Sequence, residues 1–526
     1  MRILYKIANK LFRIVKKILK LLTSRMVIIG VALLLEFCWL AGIVMQLNEK
    51  SVYINYAVTI LSLIAVLSII NNPKMNPGYK LMWAVCILAL PVTGICLYGI
   101  LGHSSVARKF RTHYDTVLLS QGGVLGEEEE TRKKLEEENI LAAGQSSYLT
   151  NYAHYPVYEN TETEYYPLGD VWFEHFIEEL KKAEHYIFME YFIISEGYLW
   201  DTVLEILKEK AAAGVDVRLI YDDFGCVTTL PYQYYKSLQQ MGIKCAAFNQ
   251  FRPVLNVILN NRDHRKIAVI DGHTAFTGGI NLADEYINRK ERFGHWKDSG
   301  ICLHGEAVWS FTVMFLQMWS TITGMECDFE SYRPEIYHKE AFKKDGFVQP
   351  YGDSPLDGET VGEHVYLNII SQAKKYLYIF TPYLIPDNET LTALCMAAKR
   401  GVDVRIVTPG IPDKKIVYIL TQANYEILLE SGVQIYQYTP GFIHSKSFVC
   451  DDEVATVGTI NMDYRSMYLH FECGVWMYGS SAVAQVKEDA LTTFEQCEQI
   501  NMDYCRKKNF AVRALRGALK FLAPLL

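Results

Sequence analysis

The sequence predicts an α/β protein in which N-terminal transmembrane helices precede two tandem α/β domains related by pseudo-two-fold symmetry. Three observations carry that reading. Three apolar runs fall within the first 101 residues, a helix–strand alternation begins near Pro167, and the same alternation returns 187 residues later with the same polar residues. The 526 residues, half of them hydrophobic and 21% charged, exceed one core and exclude disorder over most of the chain.

Residues 1–25 hold eight Lys/Arg and no Asp/Glu, leaving the rest of the chain near −15. In that segment Leu4, Ile7, Leu11, Ile14 and Ile18 fall on one helical face, with Lys6, Lys10, Arg13 and Lys17 opposite. This spacing predicts a basic amphipathic helix lying on an anionic membrane surface. Residues 26–105 read as membrane helices, with apolar runs at 26–47, 53–70 and 81–101, each about the ~20 residues that cross a bilayer. Glu36 interrupts the first run and Pro91 kinks the third. The expected location is a cell membrane, multi-pass, with two or three true spans. A basic N-terminus favours a cytoplasmic start. Three spans would then put the remainder outside, whereas twelve scattered cysteines without a C-x-x-C pair favour a reducing compartment. The face carrying the remainder is left open.

Residues 106–165 form a charged linker, whose EEEETRKKLEEE reads as a solvated helix. The first domain is expected over 166–345. A helix at 169–183 is followed by the strand HYIFMEYFII, a helix closed by Gly214, and the strand VDVRLIYDD. The second is expected over 346–505, where AAKRGVDVRIV repeats AAAGVDVRLI. Residues 506–526 place Val512, Leu515, Leu519, Leu522 and Leu526 on one stripe flanked by six Lys/Arg, a second basic amphipathic helix.

The chemistry lies in a doubled motif. DHRKIAVIDG carries His264, Lys266 and Asp271; IHSKSFVCDD carries His444, Lys446 and Asp451. Each is H-x-K-x-x-x-x-D, and each is followed 17 residues past its His by an Asn in a Gly/Thr turn: Gly279 and Asn281, then Thr459 and Asn461. In a strand, residues two apart face the same way, so each His projects with its Lys. The Asp falls at the turn, from where it is expected to hold the distal imidazole nitrogen. Lys, Asn and the turn amides supply positive charge and donors for an anion, and two such sets enclose one phosphodiester. No H-E-x-x-H and no G-x-x-x-x-G-K-[ST] occurs, so neither a metal nor a nucleotide cofactor is expected. The acidic balance disfavours a nucleic-acid partner.

These residues resemble the phospholipase D superfamily with its twin H-K-D motifs, and within it the bacterial cardiolipin synthases. The likeness runs from about residue 50 through YPLGDVWFEHFIEEL, GVDVRLIYDDFG, FTGGINLADEY, HWKDSGICLHGEAVW and TPYLIPD. It implies two phospholipase D-like domains. It also implies transfer of a phosphatidyl group between two phosphatidylglycerol molecules, giving cardiolipin and glycerol through a phosphohistidine. His264 would be the nucleophile and His444 the general acid, then base; Lys266, Lys446, Asn281, Asn461, Gly279 and Thr459 would hold phosphate. Glu472, 28 residues past His444, would support the opposing site; the matching offset in the first half falls on Arg292, and Asp298 would serve there instead. Asp263 stands where the family often has Asn. Anionic membrane lipid is the expected partner, and oligomeric state is left open. Hydrolytic phospholipase D, another phosphatidyl transfer and an inactive membrane scaffold are the alternatives.

Overall fold

The computed structural model describes residues 30–38, 50–73, 75–102, 107–120, 123–126, 129–250, 261–506 and 510–525. The basic helix expected over 1–25 and most of the first apolar run lie outside these residues. The chain divides into a unit of residues 1–109 with 251–260 and a unit of 110–250 with 261–526.

In the first unit, 30–38 is helical, and helices run over Lys50–Ile70, Pro77–Ala89 and Pro91–Leu101. Asn76 caps Pro77–Ala89 by accepting from Gly78 N. Among the described residues no helix is long and apolar enough to cross a membrane. The apolar run 81–101 is not one kinked span. Leu90 leaves the helical region (ψ 76°) and Pro91 starts a new helix. The chain folds back there, so that a Cβ on Gly94 would lie 2.6 Å from Cys86 O and Ile87 Cα. Backbones approach this closely only over glycine. Glu36, which looked out of place in an apolar run, is buried and accepts from Thr93 N at 2.7 Å, in the first turn of the returning helix.

The second unit holds the repeat. Its strands are β1 (Thr161–Tyr166), β2 (Tyr186–Tyr191), β3 (Asp216–Asp222), β4 (Lys244–Phe248), β5 (Arg262–Asp263), β6 (Lys266–Ile270), β7 (Thr274–Gly278), β8 (His295–Lys297) and β9 (Gly300–Gly305). There follow β10 (Phe347–Asp353), β11 (Tyr376–Phe380), β12 (Asp403–Pro409), β13 (Gln434–Tyr438), β14 (Gly441–Ile443), β15 (Ser447–Cys450), β16 (Val454–Gly458), β17 (His470–Tyr478) and β18 (Cys497–Ile500). One sheet has the order β1-β9-β7-β6-β2-β3-β4 and the other β10-β17-β16-β15-β11-β12-β13-β18. Seven strands therefore match in order, and β18 is an addition at the second sheet's edge. In each half the three parallel strands, β2-β3-β4 or β11-β12-β13, join an antiparallel portion through β6 or β15.

Amphipathic helices fill the crossovers. Gly169–Lys182 buries Trp172, Phe176 and Leu180 against the first sheet, and Tyr198–Ala212 buries Trp200, Val203 and Leu207. Gly214 (φ +95°) and Gly401 (φ +98°) close the equivalent helices in the left-handed region, which explains the repeated Gly before V-D-V-R. The charged segment before the repeat is more than a solvated linker. Leu135 is fully buried in the second half's core, and Gln145 on helix Ile140–Asn151 accepts from Trp476 Nε1 at 2.6 Å. The C-terminal helix Phe510–Leu522 also packs: Leu519 and Ala523 join Ile385, Leu420 and Tyr464, and Arg516 donates to Gln422 at 2.9 Å. Leu515 and Leu522 of its stripe remain exposed.

Candidate active site

Each histidine is built by strands from both halves. β5, just before His264, pairs in parallel with the start of β17, and His264 N donates to Phe471 O at 2.9 Å. β14, just before His444, pairs in parallel with β8, and His444 N donates to Lys297 O at 2.7 Å. The acceptors Phe471 and Lys297 immediately precede Glu472 and Asp298. The carboxylates are thereby crossed: Glu472 of the second half meets His264 Nδ1, both oxygens at 2.9 Å, and Asp298 of the first half meets His444 Nδ1 at 2.6 Å. A carboxylate on Nδ1 leaves Nε2 as the reactive nitrogen. Both histidines and both carboxylates are buried.

The two motif aspartates do not do this work. Asp271 and Asp451 sit at the far ends of β6 and β15, at φ +49° and +56°. Asp271 accepts from the backbone N of Glu184, His185 and Tyr186, and Asp451 from Lys374, Lys375 and Tyr376. Five residues of extended strand carry a side chain about 16 Å from the lysine that begins it. The aspartates therefore pin the neighbouring β2 and β11 instead of orienting an imidazole. Two of the expected phosphate holders also have another job. A Cβ on Gly279 would lie 2.0 Å from Asp298 Oδ1, so glycine there makes room for the carboxylate. Thr459, its counterpart, donates its hydroxyl to Glu472 Oε2. Asn281 is tied to Ile193 N (3.0 Å) and Tyr286 Oη (2.8 Å), whereas the buried Asn461 Oδ1 has no hydrogen-bond partner.

Lys266 Nζ donates to His264 O at 2.5 Å; Lys446 Nζ donates to His444 O and lies 2.9 Å from His444 Nδ1. Burial pushes Lys266 down to about 8 and Lys446 to about 7, against the pull of Glu472 and Asp298. Burial and the adjacent ammonium lower His264 well below the usual imidazole value and His444 to about 4. Burial alone would raise Asp298, yet the His444 and Lys446 charges hold it below the ordinary carboxylate value; in Glu472 burial prevails and the shift is upward. An anion held between these groups would stabilise the ammonium and imidazolium forms that burial disfavours.

The sequence pattern did not reveal the aromatic walls. Phe192 meets His264 at 4.9 Å between ring centroids, and Tyr286, Trp296 and Phe442 surround His444 at 5.5–5.7 Å. His470 lies 5.9 Å from His264 with its Nδ1 buried and unpartnered. None of these sits at a fixed offset from the H-x-K core, so only the fold reveals them. Asp263 is tied to Arg265 Nε at 3.1 Å, and Arg265 also pairs with the fully buried Glu190; this ion network has no equivalent at Ile443 and Ser445.

The family model described as "Cardiolipin synthase, PLD-like domain" matches residues 176–319 and 366–493, and one described as "Phospholipase_D-nuclease N-terminal" matches 60–103. A curated cardiolipin synthase of Alkalihalophilus pseudofirmus is 34% identical over 472 residues, 89% of this chain and 92% of the relative. An uncharacterized protein of Streptococcus mutans is 42% identical over 475 residues, 88% and 99% of the two chains. Among solved structures, phosphatidylserine synthase of Haemophilus influenzae aligns with a TM-score of 0.55 at 15% identity, over 73% of this chain and all of that one, a likeness of fold. With the family model matched in both halves and a relative 34% identical along nearly its whole length, the chain belongs to the cardiolipin synthases of the phospholipase D-like family.

Proposed function

We propose that the crossed histidine–carboxylate pairs carry out cardiolipin synthesis by two in-line displacements at one phosphorus. The enzyme is a phosphatidyltransferase whose substrates are phospholipids such as phosphatidylglycerol. In the first step neutral His264 Nε2 attacks phosphorus. The bond to the headgroup glycerol breaks, and His444, as imidazolium, gives its proton to the departing alkoxide. In the second step a glycerol hydroxyl of another phosphatidylglycerol gives its proton to neutral His444 and attacks the same phosphorus. The P–N bond breaks, releasing cardiolipin and restoring His264. One phosphodiester replaces another, so no nucleotide is consumed.

What supports this order of roles is the asymmetry of the two carboxylates. Asp298, held ionised 2.6 Å from His444, favours the imidazolium a general acid needs, whereas burial weakens the charge of Glu472 beside His264 and leaves that imidazole the less readily protonated of the two. The phosphodiester anion adds to Asp298 in raising the low value of His444. Lys266 and Lys446 would take the equatorial oxygens, each donor contributing ~3 kcal/mol at the transition state. Asn461 would offer an amide to the same anion. The enzyme is membrane-associated, and we assign the N-terminal apolar runs as its multi-pass anchor. Helix Lys50–Ile70 supports this with exposed Tyr56, Ile60, Ile64 and Leu67.

The deciding experiment supplies purified full-length protein with phosphatidylglycerol and follows lipid products and glycerol. Cardiolipin and glycerol in equal amounts are expected, with an acid-labile phosphohistidine trapped at His264. Phosphatidic acid as the main product would mean that water takes the place of the second lipid.

A further inference from the structure

The carboxyl ends of the parallel strands in both halves form one edge, and the histidines open onto it: Lys266 pairs with Tyr191 at the end of β2, and Ser447 with Phe380 at the end of β11. At that edge the two halves expose apolar side chains at matching places. The loop after β3 exposes Phe224 and Val227, each about 45%, and after β12 Ile411 and Ile416 are exposed by 41% and 53%. These residues adjoin the catalytic groups. The Arg262 guanidinium lies 4.1 Å over Phe224, and Cys226 Sγ donates to the carbonyl of Phe192, the ring packed on His264. Ile411 N donates to Gly441 O, three residues before His444.

The same edge is basic on the His444 side. Arg289, Lys290 and Arg292 are exposed on the segment after Tyr286, as are Lys414 at the end of the loop after β12 and Lys415 at the start of the helix Lys415–Ala423 that follows it. Gly294 brings the first segment to the second: a Cβ there would lie 3.0 Å from Ile411 Cδ1. Arg292 pairs with Glu285 and Lys414 approaches Asp413, yet cations outnumber the exposed acids, among which stands Glu291. Isolated exposed apolar side chains are ordinary. Apolar residues repeated on twin loops around a buried phosphate site, beside a basic rim, are not. A phospholipid keeps its acyl chains in the bilayer while its phosphate reaches these histidines, so the surface around them must meet the interface.

We propose that this rim, with Phe224, Val227, Ile411 and Ile416 as apolar contacts and Arg289, Lys290, Arg292, Lys414 and Lys415 as its charge, docks on an anionic lipid monolayer and seats the catalytic mouth there. This rests on the cardiolipin synthase reading. Apolar wedges at the headgroup boundary supply contact independent of salt, and the cations add attraction that salt screens.

The test uses full-length enzyme carrying Lys290→Glu with Lys415→Glu, or Ile411→Ser with Ile416→Ser. It compares kcat/KM on phosphatidylglycerol vesicles with that on monomeric dihexanoyl-phosphatidylglycerol. The charge variant is expected to lose tenfold or more on vesicles in 50 mM salt, the deficit shrinking to under threefold at 500 mM. The serine variant should lose a similar factor at both salts, and both should keep monomer turnover within twofold. Independently, Ile416→Trp should show a blue-shifted emission quenched by brominated lipid on phosphatidylglycerol vesicles and not on phosphatidylcholine. Equal losses on vesicles and monomer, or no loss on either, would overturn the docking rim. A wild-type enzyme making no cardiolipin from either substrate would instead overturn the catalytic reading.

Discussion

Gly279→Ala tests the crossed-carboxylate site at its tightest point. The new Cβ would stand 2.0 Å from Asp298 Oδ1, 2.8 Å from its Cγ and 2.9 Å from Oδ2. Real side chains do not come closer than about 3 Å, so the carboxylate must retreat by about 1 Å. Its 2.6 Å bond to His444 Nδ1 would stretch to roughly 3.6 Å, where it no longer counts as a hydrogen bond. Losing a bond to a charged group removes about 1.5–3 kcal/mol, roughly 10- to 150-fold in rate. A catalytic group misplaced by 1 Å costs about 10²-fold. The two descriptions concern the same event and agree on a fall of about 10² in kcat. The assay is conversion of phosphatidylglycerol to cardiolipin, with circular dichroism to establish that the variant is folded. Thr459→Val, which keeps the shape and removes the hydroxyl that bonds Glu472 and the Cys473 backbone, should lose about tenfold. A folded Gly279→Ala enzyme within threefold of wild type would refute the claim that this glycine exists to admit Asp298.

Three further outcomes are expected. His264→Ala and His444→Ala should each abolish cardiolipin formation while the protein still fractionates with membranes; full activity in either single variant would remove the two-histidine mechanism. Asp271→Ala should orphan three backbone N–H groups and cost about 3–5 kcal/mol of stability. The folded fraction should keep near-normal turnover, so a thermal shift without loss of kcat separates its role from that of Asp298. Finally, Lys446 and Lys266 are held to about 7 and 8, below the usual lysine value, and rising pH removes their charge. kcat/KM should therefore decline from about pH 7 upward. kcat should decline only at higher pH, because a bound phosphodiester favours the charged lysines, and Lys446→Arg should flatten the alkaline limb of kcat/KM. A kcat/KM flat to pH 9 would show that the lysines stay charged in the free enzyme.

Much of this protein is legible in one dimension, because strand and helix periodicity and a 187-residue repeat are local facts. The H-x-K pairs, Asn281 and Asn461 recur at equal spacing because the two halves fold alike, and Gly214 and Gly401 mark helix ends that require positive φ. Even the asymmetry between Glu472 and Arg292 could be counted along the chain. The resemblance implied that Glu472 serves the opposing site; what only the tertiary structure decided is that Asp298 crosses likewise to His444 and that the motif aspartates reach neither imidazole. Sequence proximity pointed to Asp271 and Asp451, but a strand carries its far end away from its start, so both pin backbone instead. The partners come from the opposite half, through β5 on β17 and β14 on β8, contacts between residues 146 and 208 positions apart that leave no periodic trace. The fold-back at Leu90–Pro91 was hidden for a related reason. Hydropathy records that residues 81–101 are apolar, and proline announces a break, but the direction the chain then takes depends on Gly94 fitting against Cys86 and on Glu36 holding Thr93.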